Sequence, residues 1–283
     1  MKLSIIVVNW NTKDLLKQTI DSIYRETTVF PFEIIVVDNN SADGSQELIR
    51  AQYDKVRLIE NKTNLGFGVA NNQGLEVAQG EYLMFLNSDV IVKDRAIEKL
   101  VAYLEQNIDI AMVGPQLLNS DGSFQHACRR NLPRPLSAFV YLFGLVKISH
   151  NGGDYKREFD DCNISGYTEA LSGAAMLFRR MVYEKIGGFD VHFFMYGEDL
   201  DFCKRVLEEC GRIWYLASAH IVHLGGGSSG KRRIRSILNF YDSMWLYYFK
   251  HFKKEHNILL RSLVYVGIRL RLAYALGKNF VKN

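Results

Sequence analysis

The sequence predicts an α/β fold on a mostly parallel sheet, and three observations lead there. Short β-branched runs alternate with helix-period segments through the first 115 residues. The strand-like runs are continuously apolar, as in strands buried on both faces. The segments between them are long enough for right-handed crossover helices on both sides of a sheet.

The elements follow in order. LSIIVV (3–8) is the first strand, and residues 13–26 set Leu15, Leu16, Thr19, Ile20, Ile23 and Tyr24 on one helical face. FEIIVVD (32–38) is the second strand, followed by a helix over 42–52 with Ser41 as its N-cap. VRLIE (56–60) is the third, followed by a helix over 66–79 closed by Gly80. YLMFLN (82–87), a helix over 96–106 and IAMVG (110–114) complete the alternation. The rhythm then breaks. Residues 115–170 hold three of the four prolines and read as long loops with one helix around 136–148. Pattern returns as a strand at 170–180, helices over 181–186 and 199–210, and a strand at 213–217. From Ile234, the residues Ile237, Leu238, Tyr241, Trp245, Tyr248 and Phe252 recur at helical spacing. Residues 258–276 are apolar but carry Arg261, Arg269 and Arg271. Three arginines make a bilayer span costly, so this segment reads as an interfacial or packed amphipathic helix. The chain thus divides into an α/β half (1–115), a second half (116–230) and a helical extension (231–283).

Composition narrows the class. With 283 residues, 48% of them hydrophobic, the chain can bury a core, and disorder is excluded. Cys128, Cys162, Cys203 and Cys210 share no C-x-x-C spacing, which disfavours zinc ribbons and thioredoxin chemistry and suggests a reducing compartment. The apolar run at the start is too short for a signal-peptide core, so a cytoplasmic location is expected. Charge is uneven: residues 231–283 carry 12 Lys/Arg and 2 Asp/Glu, a net of +10, and the rest carries 23 basic and 29 acidic residues, a net of −6. Such a tail suggests an anionic partner, nucleic acid or a membrane surface.

Ligands of an open parallel sheet bind beyond the carboxyl ends of its strands. Those ends are polar here: Asn9-Trp10-Asn11, Asp38-Asn39-Asn40-Ser41, Asn64 to Gly68, and Asn87-Ser88-Asp89. Each alone is ordinary turn chemistry; four together point to a polar ligand. No glycine precedes Gly44, so the G-x-G-x-x-G turn of dinucleotide folds is absent, and so is the Walker sequence. A nucleotide held by side chains, its diphosphate neutralised by a divalent cation, fits better. Asp89 with His223 can supply two ligands to an octahedral Mn or Mg site, although His220 competes for the imidazole role. The glycine-rich run 225–230 suits a loop that orders over phosphates. In FMYGEDLDFCKR (194–205), Glu198, Asp199 and Asp201 sit where a loop enters a helix. They serve either as helix N-terminal charges or as a general base.

VVNWN, VDNNSADGS, NLGFGVANNQG, LNSD, SGAAMLFRR, GGFD, FFMYGEDLDFCKR and H-x-GGGSS stand in the order seen in glycosyltransferase family 2. Over roughly residues 2–250 the chain resembles that family's bacterial rhamnosyltransferase-like branch. The resemblance implies the GT-A fold, with a nucleotide-sugar-binding half and an acceptor-binding, catalytic half. It implies inverting transfer from a UDP- or dTDP-sugar, dTDP-rhamnose among the candidates, to a glycan or lipid-linked acceptor in surface polysaccharide synthesis, with Mn²⁺ or Mg²⁺. By similarity, Asn9, Trp10, Asn11 and Asp38 meet the base and ribose, and Asn64, Phe67 and Asn71 help hold nucleotide and sugar. Asp89 binds metal, His223 completes the metal shell, Asp199 is the base, and Glu198 orients the loop or contacts the acceptor. The family's first D-x-D acid is Asn87 here; it and Ser88 suit hydrogen bonds to ribose or sugar rather than ligation. Arg179, Arg180 and the basic cluster 231–235 are further candidates for the phosphates. A lipid-linked acceptor would place the enzyme at the cytoplasmic face of the inner membrane, its basic tail on the lipid, with packing on the body or in a homodimer as the tail's other uses. A degenerate binding relative, a nucleic-acid binder and a nucleotidyltransferase are the competing classes; the sequence has no nucleic-acid-reading motif and no phosphate-cradling first turn.

Overall fold

Strands β1 (Leu3–Asn9), β2 (Phe32–Asp38), β3 (Val56–Glu60) and β4 (Tyr82–Asn87) form the parallel block, ordered β3-β2-β1-β4. The computed structural model describes residues 1–134, 161–225 and 233–281. In-register pairing of β1 with β2, Leu3 opposite Phe32 through Asn9 opposite Asp38, brings two polar strand ends side by side. Helices α1 (Lys13–Glu26), α2 (Ser45–Gln52) and α3 (Phe67–Val77) make the crossovers, and α4 (Ala96–Gln106) follows a short strand, β5 (Val90–Val92).

Period-2 alternation along β1 divides the core. Ile5 and Val7 pack under α1 and α4 with Ile20, Ile23, Leu100 and Leu104. Ile6 faces the opposite layer with Ala70, Leu75, Phe85, Phe178 and Phe202. Burying each such side chain contributes roughly 1.5–3 kcal/mol. Gly74 lets α3 lie against β1: a Cβ there would stand 2.4 Å from Ile6 Cγ2.

The second half makes the sheet mixed. Strand β6 (Ile110–Leu118) is separated from β4 by β10 (Ala175–Arg179), antiparallel to both. Strand β11 (Arg212–His223) runs parallel to β6, then pairs antiparallel with β5. Two-residue strands β7 (Arg129–Arg130) and β9 (Ala170–Leu171) form a separate ribbon, and β8 (Gly166–Tyr167) pairs with β11. Helix α5 (Arg180–Ile186) follows β10, and α6 (Glu198–Glu209) precedes β11. Helices α7 (Arg233–Phe252) and α8 (Ile258–Val281) pack as an antiparallel pair: the rings of Trp245 and Tyr265 lie 4.9 Å apart, and Arg269 Nη1 stands 2.7 Å from Asp242 Oδ1.

Several local expectations change. Helix α2 starts at Ser45 behind Gly44 in the left-handed region (φ +81°), because Ser41 turns its hydroxyl to Asn9 and to the Asn11 amide instead of capping. Helix α3 ends at Val77, and the Gly80 N–H is held by Ser4 Oγ rather than by the helix. The strand expected at 170–180 is interrupted at 172–174, and β11 extends to residue 223. The helix expected around 136–148 and the glycine run from residue 226 lie outside the described residues.

Candidate active site

The carboxyl ends of β1, β2 and β4, the β3–α3 loop, the β9–β10 turn and the starts of α6 and α7 enclose a cleft of about 690 Å³. Trp10, Asn11, Asn64, Phe67, Asn87, Ser88, Asp89, Glu198, Asp199 and His223 all line it. Ten of the thirteen side chains singled out from the sequence therefore meet in one hollow.

Asn9, Asp38 and Asn71 stand behind it. Asn9 is fully buried, donating from Nδ2 to Asp38 Oδ2 (2.8 Å) and to Ser41 Oγ (3.0 Å) and accepting from Thr12 Oγ1 (2.7 Å). Asp38 also accepts from the Ser41 amide and Gln46 Nε2, so its carboxylate is spent on holding the loop after β2. Asn71 Nδ2 donates to Phe67 O within α3. These three side chains are engaged in internal hydrogen bonds and do not line the cleft, as buried polar groups are satisfied where they lie. Asn39 and Asn40 of the same loop line the cleft instead.

The pairing of β5 with β11, His223 opposite Val90, seats His223 beside Asp89. His223 Nε2 lies 3.2 Å from Asp89 Oδ1 and 3.2 Å from Asn87 Nδ2. Its other nitrogen, Nδ1, is 3.0 Å from Gln125 Oε1, whose amide donates in turn to His223 O. Gln125 can only accept at Oε1, so Nδ1–H donates to it, and this contact fixes the ring with Nε2 turned to the cleft, the orientation a ligating imidazole requires. Asn87 Oδ1 is buried with no partner. Two donors of an octahedral Mg²⁺ or Mn²⁺, each about 2.1 Å from the ion, stand about 3 Å apart on adjacent positions. The Asp89–His223 spacing fits this. Among the described residues no third His, Cys, Asp or Glu joins them, so remaining positions would fall to ligand oxygens and water. His220 instead meets Asp94 Oδ2, away from the cleft.

Asp199, lining the same cleft, stands in the first turn of α6 with 14% of its side chain exposed. Oδ1 accepts the Leu200 amide (2.8 Å); Oδ2 accepts Arg130 Nη2 (2.5 Å) and the Gly173 amide (3.3 Å). Arg130 reaches it because β7 pairs with β9, Arg130 opposite Ala170, and the same guanidinium donates to Leu171 O. Glu198, beside it, is buried with Oε2 unpartnered; burial, then the neighbouring Asp199 charge, push its carboxyl up to about 8. Tyr196 and Gly197 enter the helix with φ of +72° and +81°. A non-glycine residue in that region is uncommon and marks a constrained approach. Gly66 (φ +91°) lets the β3–α3 loop touch this approach: a Cβ there would stand 2.6 Å from Phe194 O.

Other residues were missed by the sequence reading. Gln125 and Arg130 come from the segment without clear periodicity, and Ser236 and Asn239 from the extension; Ser172 and Gly173, inside the SGAAMLFRR motif, were given no role. Arg235 lies over the Phe194 ring (5.4 Å). An arginine two residues after Cys128 carries no local signature, but the amphipathic start of α7 could have suggested a second packed wall. Arg179 and Arg180 are not in the cleft: they hold the carbonyls of Ile110, Leu104 and Asn107, and of Gly80 and Ala78. In the basic cluster, Arg235 lines the cleft, whereas 231–232 lie outside the described residues.

Comparison with known proteins bears directly on this arrangement. Residues 4–187 match the profile described as glycosyl transferase family 2, and 153–224 that of the N-terminal domain of galactosyltransferase. The chain belongs to glycosyl transferase family 2. It is 29% identical to the O-antigen biosynthesis protein RfbC of Myxococcus xanthus over 83% of this chain, which spans only 18% of that protein's length. It is 24% identical to the N-acetylglucosaminyl-diphospho-decaprenol L-rhamnosyltransferase of Mycobacterium tuberculosis, covering 77% of this chain and 74% of that one. Among solved structures, S. aureus TarS 1-349 in complex with UDP-GlcNAc superposes with a TM-score of 0.60 at 19% identity, covering 96% and 72% of the two chains. GalNAc-T7 with UDP, GalNAc and Mn²⁺ superposes at 0.60 and 15% identity, covering 95% and 55%. The family 2 chain has the GT-A fold of these neighbours.

Proposed function

We propose that this family 2 chain is an inverting glycosyltransferase that moves a sugar from a UDP- or dTDP-sugar to a hydroxyl of a glycan or lipid-linked acceptor in surface polysaccharide synthesis. One observation carries the reading: the Asp89–His223 pair and the Arg130-bound Asp199 line one cleft together with the polar strand ends. The decaprenol-linked substrate in the name of the mycobacterial relative supports a lipid-linked acceptor. The enzyme would then work at the cytoplasmic face of the inner membrane, and the basic extension would supply a peripheral contact.

Trp10, Asn11, Asn39 and Asn40 would hold the nucleoside, and Asn64, Phe67, Asn87 and Ser88 the ribose and sugar side. Asp89 and His223 would hold Mn²⁺ or Mg²⁺, which when bound stabilises the charge of the departing diphosphate. The acceptor oxygen attacks the anomeric carbon from the Asp199 side. Its proton passes to Asp199, the new carbon–oxygen bond forms, and the old bond to phosphate breaks with its electron pair leaving on the nucleoside diphosphate. Arg130, Leu200 N–H and Gly173 N–H fix the carboxylate's orientation, so its remaining lone pairs face the cleft.

A panel of UDP-, GDP- and dTDP-sugars, scored by nucleoside diphosphate release and melting shift with and without Mn²⁺, tests this. UDP- or dTDP-sugars are expected to win, and EDTA to remove the release. Asp199→Asn should keep donor binding and lose about 10²–10⁴ in transfer; transfer at the wild-type rate would refute the assignment of the base. Donor binding without turnover in the wild type would instead favour a binding relative.

A further inference from the structure

Helix α8 is amphipathic in the reverse of the usual sense. Its buried face, with Ile268, Leu272 and Asn279, packs on the molecule. Its outward face carries Leu259, Leu263, Val266, Leu270 and Tyr274, which are 52–68% exposed. These five recur at intervals of 4, 3, 4 and 4 and so share an arc of roughly 80° at 100° per residue. Ser262, Ala273 and Gly277 fall within or beside the arc, so no charge interrupts it. The charges stand on its flanks: Arg269 on one edge, Arg271 and Lys278 on the other. The helix contains four basic residues and no acidic one.

We propose that this face is a docking surface for an anionic lipid bilayer, on which α8 lies flat in the headgroup boundary. A flat apolar stripe with cations along both edges matches the interfacial layer, where leucine side chains enter the acyl boundary and long cationic side chains reach back to phosphates. A second copy of the chain fits less well. Two-fold pairing of this stripe would bring Arg271 and Lys278 of two copies together, and the nearby acid of α7, Asp242, is already bonded to Arg269. Crossing the bilayer is ruled out for this helix, since among the described residues no helix is long and apolar enough to span it.

A groove at the same helix strengthens the assignment. Between α7 and α8, Ile237, Tyr241, Arg271, Tyr274 and Lys278 line a hollow of about 360 Å³ next to the stripe. Two cations and two phenols there suit a phosphate headgroup. The hollow also relates the surface to the reaction: Ile237 lies one residue from Ser236 and two from Arg235, which line the catalytic cleft. A bilayer seated on α8 therefore lies along the helix that walls the cleft. The proposal rests on the reading of a lipid-linked acceptor for its purpose, but not for its test.

The test is co-sedimentation of the whole chain with phosphatidylcholine vesicles, with and without a third of phosphatidylglycerol, beside a donor-binding assay on the same samples. Wild type should bind the anionic vesicles. The double change Leu263→Glu with Leu270→Glu should lower the vesicle partition coefficient at least tenfold, while UDP-sugar binding and the melting curve stay unchanged. Arg271→Glu with Lys278→Glu should lower binding to anionic vesicles and leave the weaker binding to neutral ones. Equal partitioning of wild type and the leucine double variant would overturn the proposal. So would a wild-type dimer in light scattering that the leucine changes split. Failure of UDP-sugar binding with vesicle binding intact would count against the transferase reading alone.

Discussion

The two walls of the cleft are held by different chemistry. The wall built from strand ends relies on amides and hydroxyls: Asn9, Thr12, Ser41 and Ser88 share one chain of hydrogen bonds, and Asn39 binds Asn61 and the Gly66 carbonyl in another. Asp38 joins the first chain through Asn9 Nδ2 and with Asp43 also holds loop amides, and Asp89 stands beside His223 at the end of β4. The wall at α6 relies on buried charge. Asp201, fully buried, accepts from Arg205 Nε (2.8 Å), Lys250 Nζ (2.6 Å) and His251 Nε2 (2.8 Å), and Lys250 also meets Asp190 (2.6 Å). Amide and hydroxyl contacts cost less to desolvate than ion pairs, and here they surround a single buried carboxylate, Asp38, with neutral donors. Buried ion networks cost more but pin one element to another. Here they pin α6, which carries Asp199, to α7, whose start lines the same cleft.

The largest expected effect breaks that pin. Burial alone would raise the Asp201 carboxyl, but His251, Arg205 and Lys250 outweigh it and hold it below the ordinary range. Asp201→Ala leaves Arg205 and Lys250 without their buried counter-charge and His251 without its acceptor, and should cost about 3 kcal/mol in urea unfolding. The wild type should also lose stability at acid pH. A carboxyl lowered in the folded state stabilises above its ordinary value of 3.8, and this contribution is lost as pH falls from that value through the lower folded one. If Asp201→Ala unfolds at the wild-type midpoint, the two walls do not differ in the way described.

The contrast between the walls also explains what was legible beforehand. Strand ends of the first half can be read because each polar cluster directly follows an apolar run, and parallel crossovers bring those ends together by rule. Trp10, Asn64, Asn87 and Asp89 were reachable that way. The inward turn of Asn9, Asp38 and Asn71 was not, because motif position does not distinguish a side chain facing the ligand from one bracing its neighbour. Gln125 and Arg130 were hidden for another reason: they act through tertiary pairings, β5 with β11 and β7 with β9, between segments far apart in sequence or only two residues long. The extension's basic composition pointed outward, whereas its first helix proves to be a wall of the site.

A middle-sized effect tests the neutral wall. Asn9→Ala removes two donated bonds and one accepted bond, leaving Asp38 and Thr12 short of partners in a buried place. It should cost about 1–3 kcal/mol, and because it braces the loop that carries Asn11 and Asn40, donor affinity should fall while transfer from bound donor is kept. A loss confined to the transfer step would mean that this wall too serves the chemistry directly.

The smallest effect is the most diagnostic, since it separates the two walls by pH. Glu198 carries its proton in the folded state up to about 8, against an ordinary value of 4.5. Below 4.5 both folded and unfolded chains are protonated there; between 4.5 and 8 only the folded chain is, so the unfolded state gains as pH rises and stability falls across that window. Glu198→Gln cannot titrate and escapes the loss. The stability of the glutamine variant relative to wild type should therefore climb by about 1 kcal/mol between pH 6 and pH 8, less than the full one-proton slope because the carboxyl shares its surroundings with the Arg130–Asp199 pair. The same comparison for Asn9→Ala should be flat, because no titrating group is removed. A flat profile for the glutamine variant would show that Glu198 is ionised despite its burial. The charge beside Asp199 would then be −1 rather than 0, and burial would not be what sets the protonation of this wall.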